Sequence, residues 1–159
     1  MVKQGDTLPS MKLMAATAEG PQEISTDDLF KGKRVVLFAV PGAFTPTCSA
    51  RHLPGYNDHL ADFAAKGIDR VVCLAVNDAF VMGAWARSQD ISPDLLMLAD
   101  GSGLFTKALG LELDLTQRGL GIRAQRFALV ADDRKVTHLA VEKPGDFDVS
   151  RAEAILAIL

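Results

Sequence analysis

A cysteine lies where an apolar strand gives way to a helix, a position at which the backbone favours an anion. Residues 35–40 are all apolar, residues 41–44 (Pro-Gly-Ala-Phe) have the composition of a tight loop, and Cys48 follows. Thr45 is a good N-cap residue and Pro46 suits the first helical position, which places Cys48 in the first helical turn. Free N–H groups and the helix dipole stabilise negative charge there. The anion of a cysteine is the reactive thiolate, so this junction predicts an activated thiol.

Composition sets the broad class of the protein. The chain has 159 residues, of which 48% are apolar and 23% charged, with a net charge of −3. These values predict a single domain over residues 1–159 and argue against binding to nucleic acid or an anionic membrane. The first residues lack an apolar signal core, and two cysteines do not make a disulfide framework, so we expect a reducing, cytoplasmic location.

The order of apolar runs predicts the architecture. Strands are predicted at 12–15, 33–40, 70–76, 95–99, 126–131 and 135–141, and helices at 25–30, 46–66, 78–89, 104–109 and 150–159. The pattern further predicts a cap at Ser25 or Thr26, a kink at Pro54-Gly55, a helix end at Gly67 and an irregular loop over 112–125. Alternating strands and helices followed by a hairpin and a helix are typical of a thioredoxin-like α/β fold, with a central mixed sheet flanked by helices.

Residues 41–49 (PGAFTPTCS) and 52–56 (HLPGY) closely resemble the active-site signature of the peroxiredoxin family. The likeness is to the type II, or peroxiredoxin-five, subfamily, and it extends over nearly the whole chain. The general pattern P-x-x-x-T-x-x-C is met by Pro41, Thr45 and Cys48. Two further blocks resemble this subfamily, namely residues 76–82 with Trp85, and Arg126 followed by Phe127.

The resemblance implies a role for each of four residues. Cys48 would be the peroxidatic nucleophile that attacks one peroxide oxygen. Thr45 would offer its hydroxyl to the sulfur or to the peroxide, and Pro41 would shield the sulfur from water. Arg126 would favour the thiolate and hydrogen-bond the reacting oxygens through its fixed fork of donors. The product would be a sulfenic acid, which a second thiol must reduce.

Other residues are candidates for the surroundings of the thiol. We expect Gly42, Ala43, Phe44 and Thr47 to line a substrate pocket whose apolar loop tolerates an organic substituent, with His52 close behind. Arg118 and Arg123 compete with Arg126 for the cationic role, and the place of Arg126 directly before Phe127 favours it. Phe80, Trp85 and Leu120 are either core residues or, as the resemblance implies, part of a homodimer surface. The remaining histidines, His59 and His138, are expected to be structural or solvated. No cluster has the spacing of a metal site, and no cofactor is expected.

The second cysteine, Cys73, lies in an apolar run and is predicted to be buried and inert. If its strand runs parallel to the strand before Cys48, Cys73 lies about three residues, or about 10 Å, short of the shared edge. A disulfide requires Cα atoms about 5–6 Å apart, so bridging would need local unfolding. Some members of the subfamily carry a resolving cysteine near the C-terminus, at a position that falls at or near Ser150. We therefore expect a one-cysteine cycle in which an external thiol, glutathione with glutaredoxin or else thioredoxin, reduces Cys48.

Two other functions are compatible with an activated cysteine. A thiol hydrolase needs a histidine base, and His52 lies one helical turn after Cys48, but no Asn or Asp orients it and the loop does not resemble a hydrolase elbow. A redox sensor or chaperone would share the first reaction with peroxide but would not turn over with a thiol reductant.

Overall fold

Nine strands form two sheets. The strands are β1 (Lys12–Thr17), β2 (Gly20–Ser25), β3 (Arg34–Ala39), β4 (Arg70–Ala75), β5 (Leu95–Ala99), β6 (Glu112–Leu115), β7 (Gly121–Ala124), β8 (Phe127–Asp132) and β9 (Lys135–Val141). The computed structural model describes all of residues 1–159, and its main sheet has the order β2-β1-β5-β4-β3-β8-β9. β3, β4 and β5 are parallel to one another and the remaining pairs are antiparallel, so the predicted mixed sheet is confirmed.

Helices cover both faces of the main sheet. They are α1 (Thr26–Phe30), α2 (Leu53–Asp58), α3 (Leu60–Ala65), α4 (Ala79–Ser88), α5 (Leu104–Leu109) and α6 (Ala152–Leu156). Buried residues of α2, α3, α4 and α6 share one core cluster, and those of α1 and α5 belong to a second cluster. The central strands are apolar throughout because both of their faces are covered. None of the helices combines the length and apolar character needed to cross a membrane.

The strand directions bring the ends of two distant segments together. β3 runs toward Cys48, and the antiparallel strand β8 starts where β3 finishes. The register pairs Ala39, the last residue of β3, with Phe127, the first residue of β8. Arg126 directly precedes Phe127, and Cys48 follows the loop after β3. The sheet therefore delivers both residues to one edge.

Several sequence-based boundaries are wrong for identifiable reasons. The predicted loop 112–125 contains β6 and β7, which pair with each other around a 3₁₀ turn at Thr116–Arg118. Its short strands and interrupting glycines conceal the pairing. β2 was not predicted because it is an edge strand whose middle residues are exposed and polar. The helix predicted at 150–159 is shorter in the structure, where α6 spans only Ala152–Leu156.

The predicted helix 46–66 is divided rather than kinked at Pro54-Gly55. A π-helical turn at Cys48–His52 precedes α2, and the Leu53 N–H reaches back to the Cys48 carbonyl. Pro54 has no N–H to offer the carbonyl four residues earlier, which helps to explain why the irregularity comes just before it. Isolated π turns are frequent at functional sites. The predicted cap at Ser25 and the helix end near Gly67 are confirmed.

Candidate active site

Cys48 begins the π-helical turn and is fully buried. Its Sγ accepts a hydrogen bond from Nη2 of Arg126 at 3.1 Å. A guanidinium at this distance stabilises the thiolate by charge and by hydrogen bonding, and a buried thiol is protected from solvent screening. The two residues placed at the shared sheet edge are thus in direct contact.

His52 holds the other side of the same guanidinium. Its Nδ1 lies 2.8 Å from Nη1 of Arg126, and its Nε2 lies 3.1 Å from the carbonyl oxygen of Ser150. Arginine only donates, so Nδ1 is the acceptor and the proton resides on Nε2. Burial, and then the positive charge of Arg126, lowers the pKa of His52 to about 3. Both ring nitrogens are engaged away from the sulfur, which leaves a thiol hydrolase without its base.

We expect the His52 imidazole to stay neutral as the pH is lowered from about 8 to about 4.5, well below the usual histidine value of about 6.5. The reason is that burial and Arg126 lower the pKa of His52 to about 3. Two-dimensional ¹H–¹⁵N NMR of the ring nitrogens measures this directly and reports the Nε2–H tautomer. His59 is the internal control, because its hydrogen bond with Asp62 raises the pKa of its imidazole. Titration of His52 near its usual value would contradict the assignment.

A buried carboxylate supports the carbonyl that binds His52. Glu142 accepts hydrogen bonds from the N–H groups of Asp148, Val149 and Ser150 at 2.7, 3.2 and 2.9 Å, and from the Ser150 hydroxyl at 2.7 Å. The Ser150 carbonyl in turn accepts the Tyr56 hydroxyl at 2.7 Å as well as His52. Glu142, Ser150 and Tyr56 were not predicted as site residues, since no motif joins positions so far apart in the chain.

Aromatic rings surround this network. The Phe147 ring lies 5.0 Å from the His52 ring, and its centroid is 5.9 Å from the guanidinium carbon of Arg126. Phe38 stacks on Tyr56 with ring centroids 3.9 Å apart. The apolar surroundings lower the local dielectric and strengthen the contacts among Cys48, Arg126 and His52.

The hydroxyl of Thr45 has a different hydrogen-bond partner from the one predicted. Its hydroxyl donates to the Gly42 carbonyl at 2.7 Å, so it closes the loop and does not cap the helix N-terminus through its side chain. Its carbonyl accepts the first helical hydrogen bond, from Ser49 at 2.9 Å. The hydroxyl makes no hydrogen bond to Cys48 in this structure, although its lone pairs remain available to a substrate.

Two further residues hold the loop before Cys48. Nη1 of Arg123 donates to the Pro41 carbonyl at 3.4 Å, and a Cβ at position 42 would lie only 2.7 Å from that nitrogen, so a larger residue there would displace the Arg123 side chain. Asn77 accepts a hydrogen bond from the Ala43 N–H at 3.0 Å. Arg123 therefore supports the loop while Arg126 contacts the sulfur. The Asn77 contact gives a structural reason for the motif that follows β4.

A cavity of about 1030 Å³ opens beside Arg126, the residue that contacts the Cys48 sulfur. Pro41, Thr47 and Arg126 line its inner end, and its outer walls come from residues 113–118 and 142–146. Gly42, Ala43 and Phe44, which the sequence predicts for a substrate pocket, do not line this cavity, and their role stays a prediction. Gly42 and Ala43 are buried, and Phe44 is 55% exposed with a left-handed φ of 65°. Most of the residues that line the cavity are polar or charged, and they come from β6, from the turn that follows it and from the loop 142–146.

The remaining candidates are distributed as follows. Cys73 is fully buried in β4 and both cysteines are free, which confirms the predicted burial; burial also raises the pKa of the Cys73 thiol. Of the two alternatives for Trp85, the structure shows the core one, because the residue shares the inward face of α4 with Met82 and its indole N–H donates to Ser49 Oγ at 2.9 Å. Phe80 and Leu120 are exposed. No group of three or more His, Cys, Asp or Glu side chains is arranged to hold a metal ion.

Fold and site together define a class, the thioredoxin-like α/β proteins, here with a buried cysteine that an arginine contacts. Residues 3–156 match the Redoxin family model. Peroxiredoxin-2C of Oryza sativa subsp. japonica is 52% identical over 159 residues, covering 99% of this chain and 98% of the rice protein. Peroxiredoxin-2B of Arabidopsis thaliana is 50% identical over 138 residues, covering 87% of this chain and 85% of that protein.

A solved structure gives the same result. Reduced Prx3 of Vibrio vulnificus in complex with H₂O₂ superposes with a TM-score of 0.94 at 52% identity, covering 99% of both chains. The chain belongs to the peroxiredoxin family, whose members are thiol-dependent peroxidases and typically form dimers.

Proposed function

We propose that this protein reduces hydrogen peroxide and alkyl hydroperoxides through Cys48 and is regenerated by an external thiol. The observation that carries the proposal is the contact of 3.1 Å between Nη2 of Arg126 and Sγ of Cys48, with Arg126 held on its other side by His52. This arrangement presents a thiolate with hydrogen-bond donors beside it, which is what cleavage of an O–O bond requires.

The first half-reaction uses groups already in place. The Cys48 thiolate attacks one oxygen, the S–O bond forms as the O–O bond breaks, and the second oxygen leaves as hydroxide or alkoxide. Arg126 stabilises the negative charge that develops on the oxygens, and Thr45 is placed to reorient its hydroxyl toward the peroxide. Pro41 closes the cavity wall beside Arg126 and limits the access of water. Cys48 is left as a sulfenic acid.

An external reductant is favoured because neither internal candidate is suitable. Cys73 is fully buried in a central strand, where burial raises the pKa of its thiol. Ser150, near the position at which some type II members carry a resolving cysteine, is a buried serine that hydrogen-bonds Glu142. We therefore assign the chain to the type II subfamily without that cysteine, with glutathione and glutaredoxin preferred over thioredoxin.

Assembly and location form a further part of the proposal. Phe80 is 75% exposed and Leu120 is 37% exposed, and large apolar side chains on a surface favour association. We infer that both contribute to a homodimer. The two free cysteines are consistent with a reducing compartment, the cytoplasm.

The test is peroxide consumption by the reduced protein with either glutathione and glutaredoxin or a thioredoxin system. We expect turnover to be lost in Cys48→Ser and kept in Cys73→Ser, because Cys48 is the one of the two cysteines that hydrogen-bonds Arg126. Loss of turnover in a folded Cys73→Ser variant would make Cys73 the resolving thiol. Oxidation of Cys48 without turnover, whatever the donor, would favour the sensor function instead.

A further inference from the structure

The cavity beside Cys48 is much larger than a peroxide group requires. Its volume of about 1030 Å³ reaches the upper end of the range of about 300–1,000 Å³ that encloses small organic ligands. Its inner end is formed by Pro41, Thr47 and Arg126, while its outer walls are β6 with the turn after it and the loop 142–146. We call this cavity the polar groove. Its size suggests that it also accommodates the molecule that reduces Cys48.

The charged side chains of the polar groove fall into two groups. The first group is already engaged: Asp114 accepts two hydrogen bonds from Thr116, Glu142 accepts four from residues 148–150, and Arg126 donates to Cys48 and His52. The second group is unpaired, because Arg118, Lys143 and Asp146 are exposed in the groove and none of them forms an ion pair. The groove thus offers two cations and one anion to a ligand.

We propose that the polar groove binds glutathione, with the thiol toward Arg126 and the peptide charges toward its outer walls. Glutathione carries two carboxylates and one ammonium group, which complement Arg118, Lys143 and Asp146 in number and sign. The inference rests on the proposed function and identifies where that reductant docks. It assigns Arg118 and Lys143 to binding, whereas Arg126 serves the chemistry.

Glutathione docked in the groove reduces the sulfenic acid of Cys48. The glutathione thiolate attacks the sulfur of the Cys48 sulfenic acid, an S–S bond forms and the S–O bond breaks. Hydroxide leaves and takes a proton to become water, while the glutathione sulfur is oxidised and the Cys48 sulfur is reduced. Because Cys48 is fully buried, the incoming thiol needs an approach along the groove past Pro41 and Arg126.

Single-turnover kinetics tests the proposal. The protein is oxidised with one equivalent of peroxide and mixed with glutathione or with uncharged 2-mercaptoethanol, and the mixed disulfide is quantified by quenched mass spectrometry. We expect the double variant Arg118→Ala/Lys143→Ala to lower the ratio of the glutathione rate to the 2-mercaptoethanol rate by about tenfold, as two surface ion pairs are lost. Lys107→Ala, which removes an exposed cation outside the groove, is expected to leave the ratio unchanged.

A change on the ligand side provides the matched test. Glutathione monoethyl ester lacks one carboxylate, so we expect the double substitution to lower the ratio of the ester rate to the 2-mercaptoethanol rate by less than it lowers the corresponding ratio for glutathione. A parent-like ratio in the double variant would overturn the groove assignment alone. If the oxidised parent formed no mixed disulfide with glutathione, the reductant part of the proposed function would fail, and the groove assignment with it.

Discussion

Arg126→Ala is expected to slow the reaction of Cys48 with hydrogen peroxide by about 10²–10³-fold, the usual effect of removing one donor from a site of developing negative charge. The side chain donates to Cys48 Sγ at 3.1 Å and is the only charged group that contacts the sulfur. Its loss removes both the stabilisation of the thiolate and the donor for the leaving oxygen. Stopped-flow measurement of the second-order rate constant checks the loss.

Two variants give this measurement its controls. Arg126→Lys keeps the positive charge but loses the fork that reaches Cys48 and His52 together, so its rate should lie between those of the parent and the alanine variant. Arg123→Ala removes a neighbouring arginine that contacts the Pro41 carbonyl and not the sulfur, and a smaller effect is expected. Equal losses in the Arg123 and Arg126 alanine variants would point to a general disturbance of the loop. A parent-like rate in Arg126→Ala would remove Arg126 from the mechanism.

The central sheet could be predicted because each of its strands is recognisable from its own amino-acid sequence. β3 and β4 are buried on both faces, so each appears in the sequence as an unbroken apolar run. β2 and the pair β6–β7 lie at an edge or outside the main sheet, where polar residues face solvent and no such run exists. Their formation depends on pairing with a partner strand, which a local pattern does not record.

The site residues also differ in whether a local sequence pattern could identify them. Cys48 could be predicted from its own surroundings, because loop, proline and helix start are adjacent in sequence. Arg126 required the family resemblance, since the antiparallel alignment of β8 with β3 brings it to the sulfur. The contact of His52 with Ser150 joins positions 98 residues apart, and no spacing rule reaches that far. The sequence left Trp85 open between core and interface, because an apolar residue on a helix can be assigned to one of them only when the orientation of the helix is known.

Glu142→Ala is expected to lower the free energy of unfolding by about 3 kcal/mol, because the buried Ser150 N–H and hydroxyl lose a charged acceptor and each such loss costs at least about 1.5 kcal/mol. The corresponding fall in Tm is about 6–12 °C for a chain of this size. Burial by itself would raise the pKa of Glu142, but the hydrogen bonds from Ser150, Asp148 and Val149 outweigh it and hold the pKa below its usual value. Chemical denaturation at several pH values measures the loss.

The lowered pKa of Glu142 determines how the contribution of this residue to stability changes with pH. A carboxylate whose pKa is lower in the folded state contributes stability above its unfolded value of about 4.3, and that contribution disappears as the pH falls through the folded value. We therefore expect the difference between the parent and Glu142→Ala to be largest above about pH 5 and to shrink in acid. Glu142→Gln is the matched control, because it keeps the shape while its amide offers only one accepting oxygen. A difference that does not change with pH would argue against an ionised Glu142.

The same variant tests whether this carboxylate also positions the active site. Glu142 orders residues 148–150, the Ser150 carbonyl fixes the Nε2–H of His52, and Nδ1 of His52 holds Arg126 against the sulfur. At a temperature where Glu142→Ala is fully folded, we expect slower reaction with peroxide and altered ring-nitrogen signals of His52. If stability fell while both of these properties matched the parent, Glu142 would stabilise the C-terminal loop without acting on Cys48. The combination of results therefore separates a positioning role from a purely structural one.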